Sequence, residues 1–159
     1  IEFTLAGDVA VGAEAVPPFG YHIDEVWTGG VVGAAGDFRA LIFRENARPA
    51  PEGVRWRIVN GLPGASATVY FDDLVTTPVA FYEDIAFGGR SSDMPVAPSR
   101  YQIGVDVDDD EVIDYRFDLG ELLVGEQVTM WLGRSAEGDV RLTLAFRDGG
   151  WRVVPPTAI

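Results

Sequence analysis

The strongest constraint in this sequence is its punctuation. Apolar stretches are short and rich in Val, Ile, Phe, Tyr and Trp, and Gly, Pro, Asp or Asn closes each one after about ten residues. The clearest case is Val54-Arg-Trp-Arg-Ile-Val-Asn60, in which apolar and charged residues alternate. Gly61-Leu-Pro-Gly64 then supplies a turn and Ala67-Thr-Val-Tyr-Phe71 resumes the pattern. Strands are expected near 2–5, 24–33, 38–45, 54–60, 66–72, 81–87, 100–107, 111–117, 127–133, 139–147 and 151–154. No segment offers an apolar helical face of three turns. Residues 118–124 have room for one turn, which Gly120 and Gly125 weaken. Many short strands with turn chemistry between them predict an all-β, antiparallel β-sandwich.

A chain of 159 residues with 47% hydrophobic content is long enough to bury a core, and with no cysteine that core must hold by packing alone. The redox compartment is left open. Twenty-five acidic residues face 12 basic ones, all of them Arg, for a formal net charge of -13. Such a field repels phosphate backbones and anionic lipid heads, so neither nucleic-acid binding nor membrane-surface binding is expected. No stretch approaches the roughly 20 apolar residues of a membrane helix. The chain opens at Ile1, for which a cleaved export signal is one explanation and a shortened fragment another.

Internal repetition adds organisation. Trp56-Arg-Ile-Val59 returns as Trp151-Arg-Val-Val154, and Gly36-Asp-Phe-Arg39 returns as Gly138-Asp-Val-Arg141. Asn46-Ala-Arg-Pro-Ala-Pro-Glu-Gly53 interrupts the strands as a stiff, proline-bearing linker. The expected division is an incomplete β-sandwich repeat at 1–48, a linker at 49–53, a complete repeat at 54–149, and a C-terminal strand at 150–159. That strand begins a repeat that is not finished.

The run Arg55-Trp-Arg-Ile-Val-Asn-Gly-Leu-Pro-Gly-Ala-Ser-Ala-Thr-Val-Tyr-Phe-Asp72 resembles a bacterial and archaeal domain-of-unknown-function family. Its members open with Val-Arg-Val-x-Asn/His-x-x-Pro-x-Ala-x-x-Val-x-Val-Tyr. Val79-Ala-Phe81, Phe87-Gly88, the turn from Pro95 to Tyr101, Gly125-Glu126, Val128-Thr129 and Gly138-Asp-Val-Arg141 extend the likeness over 54–149, and 24–52 resembles the end of a preceding unit. The resemblance implies secreted or cell-surface sandwiches of immunoglobulin or transthyretin type, commonly in tandem, with no catalytic residues to carry over.

A repeat missing strands exposes an unpaired edge. Trp151, Arg152, Val153 and Val154 are therefore expected to act as an assembly strand, added either to the incomplete unit of a second copy or to their own chain; the piece being a fragment of a tandem array is the plainer account.

Few residues suggest chemistry. Asp106-Val-Asp108-Asp-Asp110-Glu111, with Asp114, is the densest ligand set, and its oxygens suit calcium; Asp106, Asp108 and Asp110 are the expected ligands. The run departs from the EF-hand pattern, because Glu111 stands where Gly is required and Phe117 where the bidentate Glu belongs. The ordinary reading of such a run is a solvated turn. His22, the one histidine, lacks the partners of a zinc site or a nucleophilic triad. Aromatic residues allow a sugar-stacking platform at Tyr21 and Trp27, although core packing is the default for Trp56, Trp131 and Trp151. Glu83 and Asp84 are expected on opposite faces of a strand, which disfavours a glycosidase pair. Arg55 and Arg57 share a face and read as ion-pair or interface residues. No cofactor other than calcium is implied. The expected function is an extracellular structural or adhesive subunit, not an enzyme, that joins copies of itself head to tail into a filament. The alternative is a surface module for polysaccharide or calcium.

Overall fold

The structure is a computed structural model that describes residues 3–4, 10–11, 27–34, 37–44, 52–72, 78–135 and 137–157. It is all-β, as the punctuation predicts. The strands in chain order are β1 (Phe3–Thr4), β2 (Ala10–Val11), β3 (Trp27–Ala34), β4 (Asp37–Arg44), β5 (Val54–Asn60), β6 (Ser66–Phe71), β7 (Val79–Ala86), β8 (Met94–Val96), β9 (Ser99–Asp106), β10 (Tyr115–Leu122), β11 (Gln127–Arg134), β12 (Val140–Phe146) and β13 (Trp151–Val154).

Two sheets face one another, a five-stranded one in the order β13-β12-β11-β5-β8 and a four-stranded one in the order β10-β9-β6-β7. Alternate residues of each strand point between them. Trp56, Ile58, Val128, Met130, Leu132, Leu142 and Leu144 from the first sheet meet Ala67, Val69, Ile103, Val105, Phe117 and Leu119 from the second in one buried cluster. Trp56 sits at an aromatic junction, with ring centroids 5.6 Å from Phe71, 5.5 Å from Phe81 and 4.8 Å from Tyr101. Burial of this apolar area is what holds a cysteine-free chain together.

The turn between β5 and β6 shows how local chemistry sets the frame. Pro63 takes the second place of a tight turn and Gly64 the left-handed third place, with φ +75°, while the Ala65 N–H donates to the Leu62 carbonyl. Asn60, fully buried, locks the turn to the other sheet. Its Nδ2 donates to the carbonyls of Ala65 (3.0 Å) and Ile85 (2.7 Å), and its Oδ1 accepts from the Leu62 N–H (2.9 Å).

The structure departs from the expected pattern at several points. β5 and β11 run parallel, so the sandwich is not wholly antiparallel; each central strand is buried on both faces, which suits a parallel pair. Residues 107–114 form a loop, and the strand expected at 111–117 lies instead at 115–122, where a helical turn had room. A register shift between Asp118 and Gly120, with Gly120 at φ +68°, returns Leu122 to the core side. β2 and β8 are too short for their alternation to show in the sequence.

Of residues 1–48, expected to form an incomplete β-sandwich repeat, those described include the hairpin β3–β4, a two-stranded sheet of its own. It lies against the outer face of the five-stranded sheet. Gly30 faces the Trp131 ring, Gly61 leaves room for Val32, and the Phe43 and Trp131 ring centroids are 5.8 Å apart. β1 pairs with β2.

Candidate functional site

The C-terminal strand is placed by its hairpin. Phe146-Arg-Asp-Gly-Gly150 turns tightly, with Gly149 at φ +92° and its N–H donating to the Phe146 carbonyl. β13 then pairs antiparallel with β12, so the strand expected to serve a neighbour is paired within its own chain. Three of its four residues are exposed and the last is buried. Val154, opposite Leu142, is buried. Arg152, opposite Leu144, reaches over the end of the core to donate from Nη2 to the Leu119 carbonyl of β10. On the outer face Trp151 is 72% exposed and Val153 46%. After Pro155 and Pro156, the Thr157 N–H donates to the Arg116 carbonyl (2.8 Å), which ties the C-terminal segment to the four-stranded sheet.

β13 is also the outermost strand of its sheet. The other edges carry recognisable guards. β8 is short and contains Pro95, β7 is bulged, and β10 is bulged and tied to the C-terminal segment by Arg152 and Thr157. β13 carries two large apolar side chains at the open edge.

The acidic run forms the loop between β9 and β10. Asp106, 1% exposed, is its anchor: Oδ1 accepts the N–H groups of Asp108 (3.1 Å) and Asp109 (2.9 Å), and Oδ2 accepts that of Glu111 (3.0 Å). Asp114 Oδ2 accepts the Val107 N–H at 2.9 Å. These bonds wrap the loop so that oxygens of Asp106, Asp108 and Asp114 lie within 4.8 Å of one another. Asp110 is not in that group, and its Oδ1 accepts the Val112 N–H instead. The convergence thus exchanges one of the three expected ligands. Glu111 adopts φ +64°, the left-handed form for which Gly is the usual choice. The Asp110 charge, then partial desolvation, then Asp114 and Asp106 hold the Asp108 carboxyl above its ordinary value. A hard divalent cation would relieve that repulsion and fits the all-oxygen donor set.

A second arrangement was not legible from the sequence. Ala67 pairs with Ile85 but Val69 with Tyr82, so Glu83 and Asp84 together oppose Thr68 in a bulge, and the Asp84 N–H donates to Thr68 Oγ1. With Asp84 at φ +52°, the strict alternation that separated the two carboxylates fails. Both line an open cleft of about 700 Å³ on the outer face of the four-stranded sheet, with Tyr70, Arg116, Asp109 and Glu111. Burial first, then the carboxylates of Asp106, Glu111, Asp109 and Glu83, raise the Tyr70 phenol. Arg116 pairs with the buried Asp72.

Arg57 bears out the ion-pair reading. It is 3% exposed, donates from Nε to Thr129 Oγ1 (3.2 Å), and lies 3.5 Å from Asp93. Tyr21, His22 and the side chain of Trp27 lie outside the described residues, so the expected stacking pair has no geometry here. A scan against protein-family models found no match to this chain, and a search of curated proteins returned none at a significant level.

Proposed function

We infer that this chain is a structural β-sandwich subunit of a secreted or cell-surface assembly, joining copies of itself head to tail and performing no catalysis. The observation that carries this reading is β13: an outermost strand bearing an exposed Trp151 and Val153, in a molecule whose other sandwich edges are bulged, short or tied down. Addition of β13 to the N-terminal unit of the next copy, whose β3–β4 pair forms a separate two-stranded sheet, would supply main-chain hydrogen bonds head to tail, and the two apolar side chains the buried contact. The resemblance to secreted tandem sandwiches of immunoglobulin or transthyretin type supports the same reading. So does the strongly negative charge, which disfavours nucleic acid and anionic membranes as partners.

Sedimentation and electron microscopy of the full chain test it. The wild type is expected to associate as concentration rises, and more strongly as salt screens a net charge of -13. Trp151→Arg with Val153→Glu is expected to leave a folded monomer. Association unchanged by that pair would overturn the role of β13.

A second reading is favoured by the convergence of Asp106, Asp108 and Asp114: a calcium-binding surface module, in which the ion stiffens the β9–β10 loop. A calcium titration that leaves the thermal midpoint where it was in chelator would remove it. Polysaccharide remains the third class of partner, tested by glycan binding of the wild type against Tyr21→Ala and Trp27→Ala.

A further inference from the structure

The hairpin β3–β4 is held differently from every strand of the sandwich. Its two strands pair only with each other, and among the described residues no strand of the sandwich joins their ladder. Rings and guanidinium groups make the seat instead. Gly30 lies against the Trp131 ring, and Phe43 packs on the same ring with centroids 5.8 Å apart. The Arg90 guanidinium sits 4.8 Å from the Phe43 ring and that of Arg39 4.5 Å over Phe87. Val32, 7% exposed, fits against Gly61, yet it is not part of the buried cluster that the two large sheets share.

A strand that leaves the sandwich must break main-chain hydrogen bonds and open the shared core. The hairpin can leave without doing either, and elements held in that way open at lower free energy than the global fold. What its departure uncovers also tolerates water. Arg57, 3% exposed, keeps Thr129 Oγ1 and Asp93 as partners on its own side of the seam, and a buried charge regains hydration when uncovered. The apolar loss centres on Val32, Phe43 and the Trp131 ring. The seam is moreover unfilled along one side. A cleft of about 430 Å³ runs between Gly29, Gly30 and Gly33 of β3 and Trp131, Arg141 and Thr143 of the sheet.

We propose that the β3–β4 hairpin is a lid that opens as a unit from a sandwich that stays folded, and that its opening governs access to this cleft and to the face formed by Arg57, Arg90 and Trp131. The inference goes beyond the assembly reading and does not depend on it. Closure is set by the seat alone, because the sandwich core is the same in both states. Gly30 is where that seat is least forgiving, since a Cβ there would lie 3.0 Å from the Trp131 ring.

The absence of cysteine makes the test direct. Val32→Cys places a thiol between hairpin and sheet, and Val69→Cys places one in the core, where the native side chain is 0% exposed. Each full-length variant is labelled with a small thiol reagent under native conditions and in rising urea below the unfolding transition. The lid predicts labelling at position 32 at least tenfold faster than at position 69, with a much weaker dependence on urea. Adding Gly30→Ala, or separately Phe43→Ala, should speed labelling at position 32 at least tenfold and leave position 69 unchanged. Equal rates and equal urea dependence at the two positions would overturn the proposal, as would a seat variant that speeds both by the same factor, because the hairpin would then unfold only with the sandwich. Labelling at position 32 at the rate of the unfolded chain would also overturn it, since no closed state would exist. Hydrogen exchange of the wild-type chain guards against Val32→Cys itself loosening the seat. The amides of β3 and β4 should exchange ahead of those of β5 and β11, and exchange of all four in one step would count against the lid.

Discussion

Trp56 and Trp151 open the same short pattern, Trp-Arg-aliphatic-Val, yet Trp56 is 1% exposed and Trp151 is 72% exposed. The difference lies in the neighbours. β5 has β11 on one side and β8 on the other, a second sheet over one face and the β3–β4 hairpin over the other, so even Arg57 and Val59 are buried. β13 has β12 on one side only. Arg152 and Val154 lie on its inner face, and on its outer face Trp151 is 72% exposed while Val153, 46% exposed, borders a cleft shared with Gly29, Gly30 and Trp131. A strand motif therefore carries its alternation with it but not its burial, which depends on how many neighbours the topology supplies.

Substitutions can widen or close that gap. The largest expected effect is Trp56→Ala, which removes the ring that joins Phe71, Phe81 and Tyr101 and should cost about 3–5 kcal/mol in denaturant unfolding. Trp151→Ala should cost less than about 0.5 kcal/mol. Equal losses at the two positions would mean that β13 is covered as β5 is. Next comes Asn60→Ala, which leaves two buried carbonyls and one buried N–H without their partner; about 3 kcal/mol is expected, and Asn60→Asp should not restore it. Tyr82→Phe should cost about 1–2 kcal/mol, since its single hydroxyl proton is shared between the carbonyls of Ser92 (2.8 Å) and Trp56 (3.2 Å), and burial pushes the phenol up to about 12.

The smallest effects are electrostatic and have opposite signs. The hydrogen bond from Arg100, then the Gly120 N–H, hold the Asp118 carboxyl below its ordinary value of 3.8. Its contribution is present above that pH and is lost as pH falls through the depressed value. Asp108 is raised, so its charge opposes folding near neutrality and protonation relieves it as pH falls through the raised value toward 3.8. In chelator, Asp108→Asn should therefore raise the thermal midpoint slightly and Asp118→Asn should lower it. In calcium, Asp108→Asn should instead lose any midpoint increase that the wild type shows.

Much of the sandwich was legible in advance because alternation and turn chemistry are local. Val54 to Phe71 is read correctly as strand, turn and strand, since Pro63-Gly64 dictates its turn and Trp56 and Ile58 dictate an inward face. The Asp84 bulge was not legible, because it arises where β6 and β7 fail to match in register, and that failure put Glu83 beside Asp84 in one cleft. Asp114 joined Asp106 and Asp108 in place of Asp110 for a similar reason, namely that the Asp106 carboxylate gathers N–H groups from further along the loop.

By itself, then, the sequence determined an all-β chain, the inward side chains of its central strands, a charge that repels polyanions, and a repeated strand motif. These follow from local sterics, periodicity and composition, which need no partner. Tertiary structure alone decided that β5 and β11 run parallel, that the β3–β4 hairpin covers one face of the sandwich, and that β13 ends a sheet with Trp151 in solvent. Those depend on pairings between residues far apart in the chain, whose closure entropy is repaid only by the complete fold, so no local stretch could announce them.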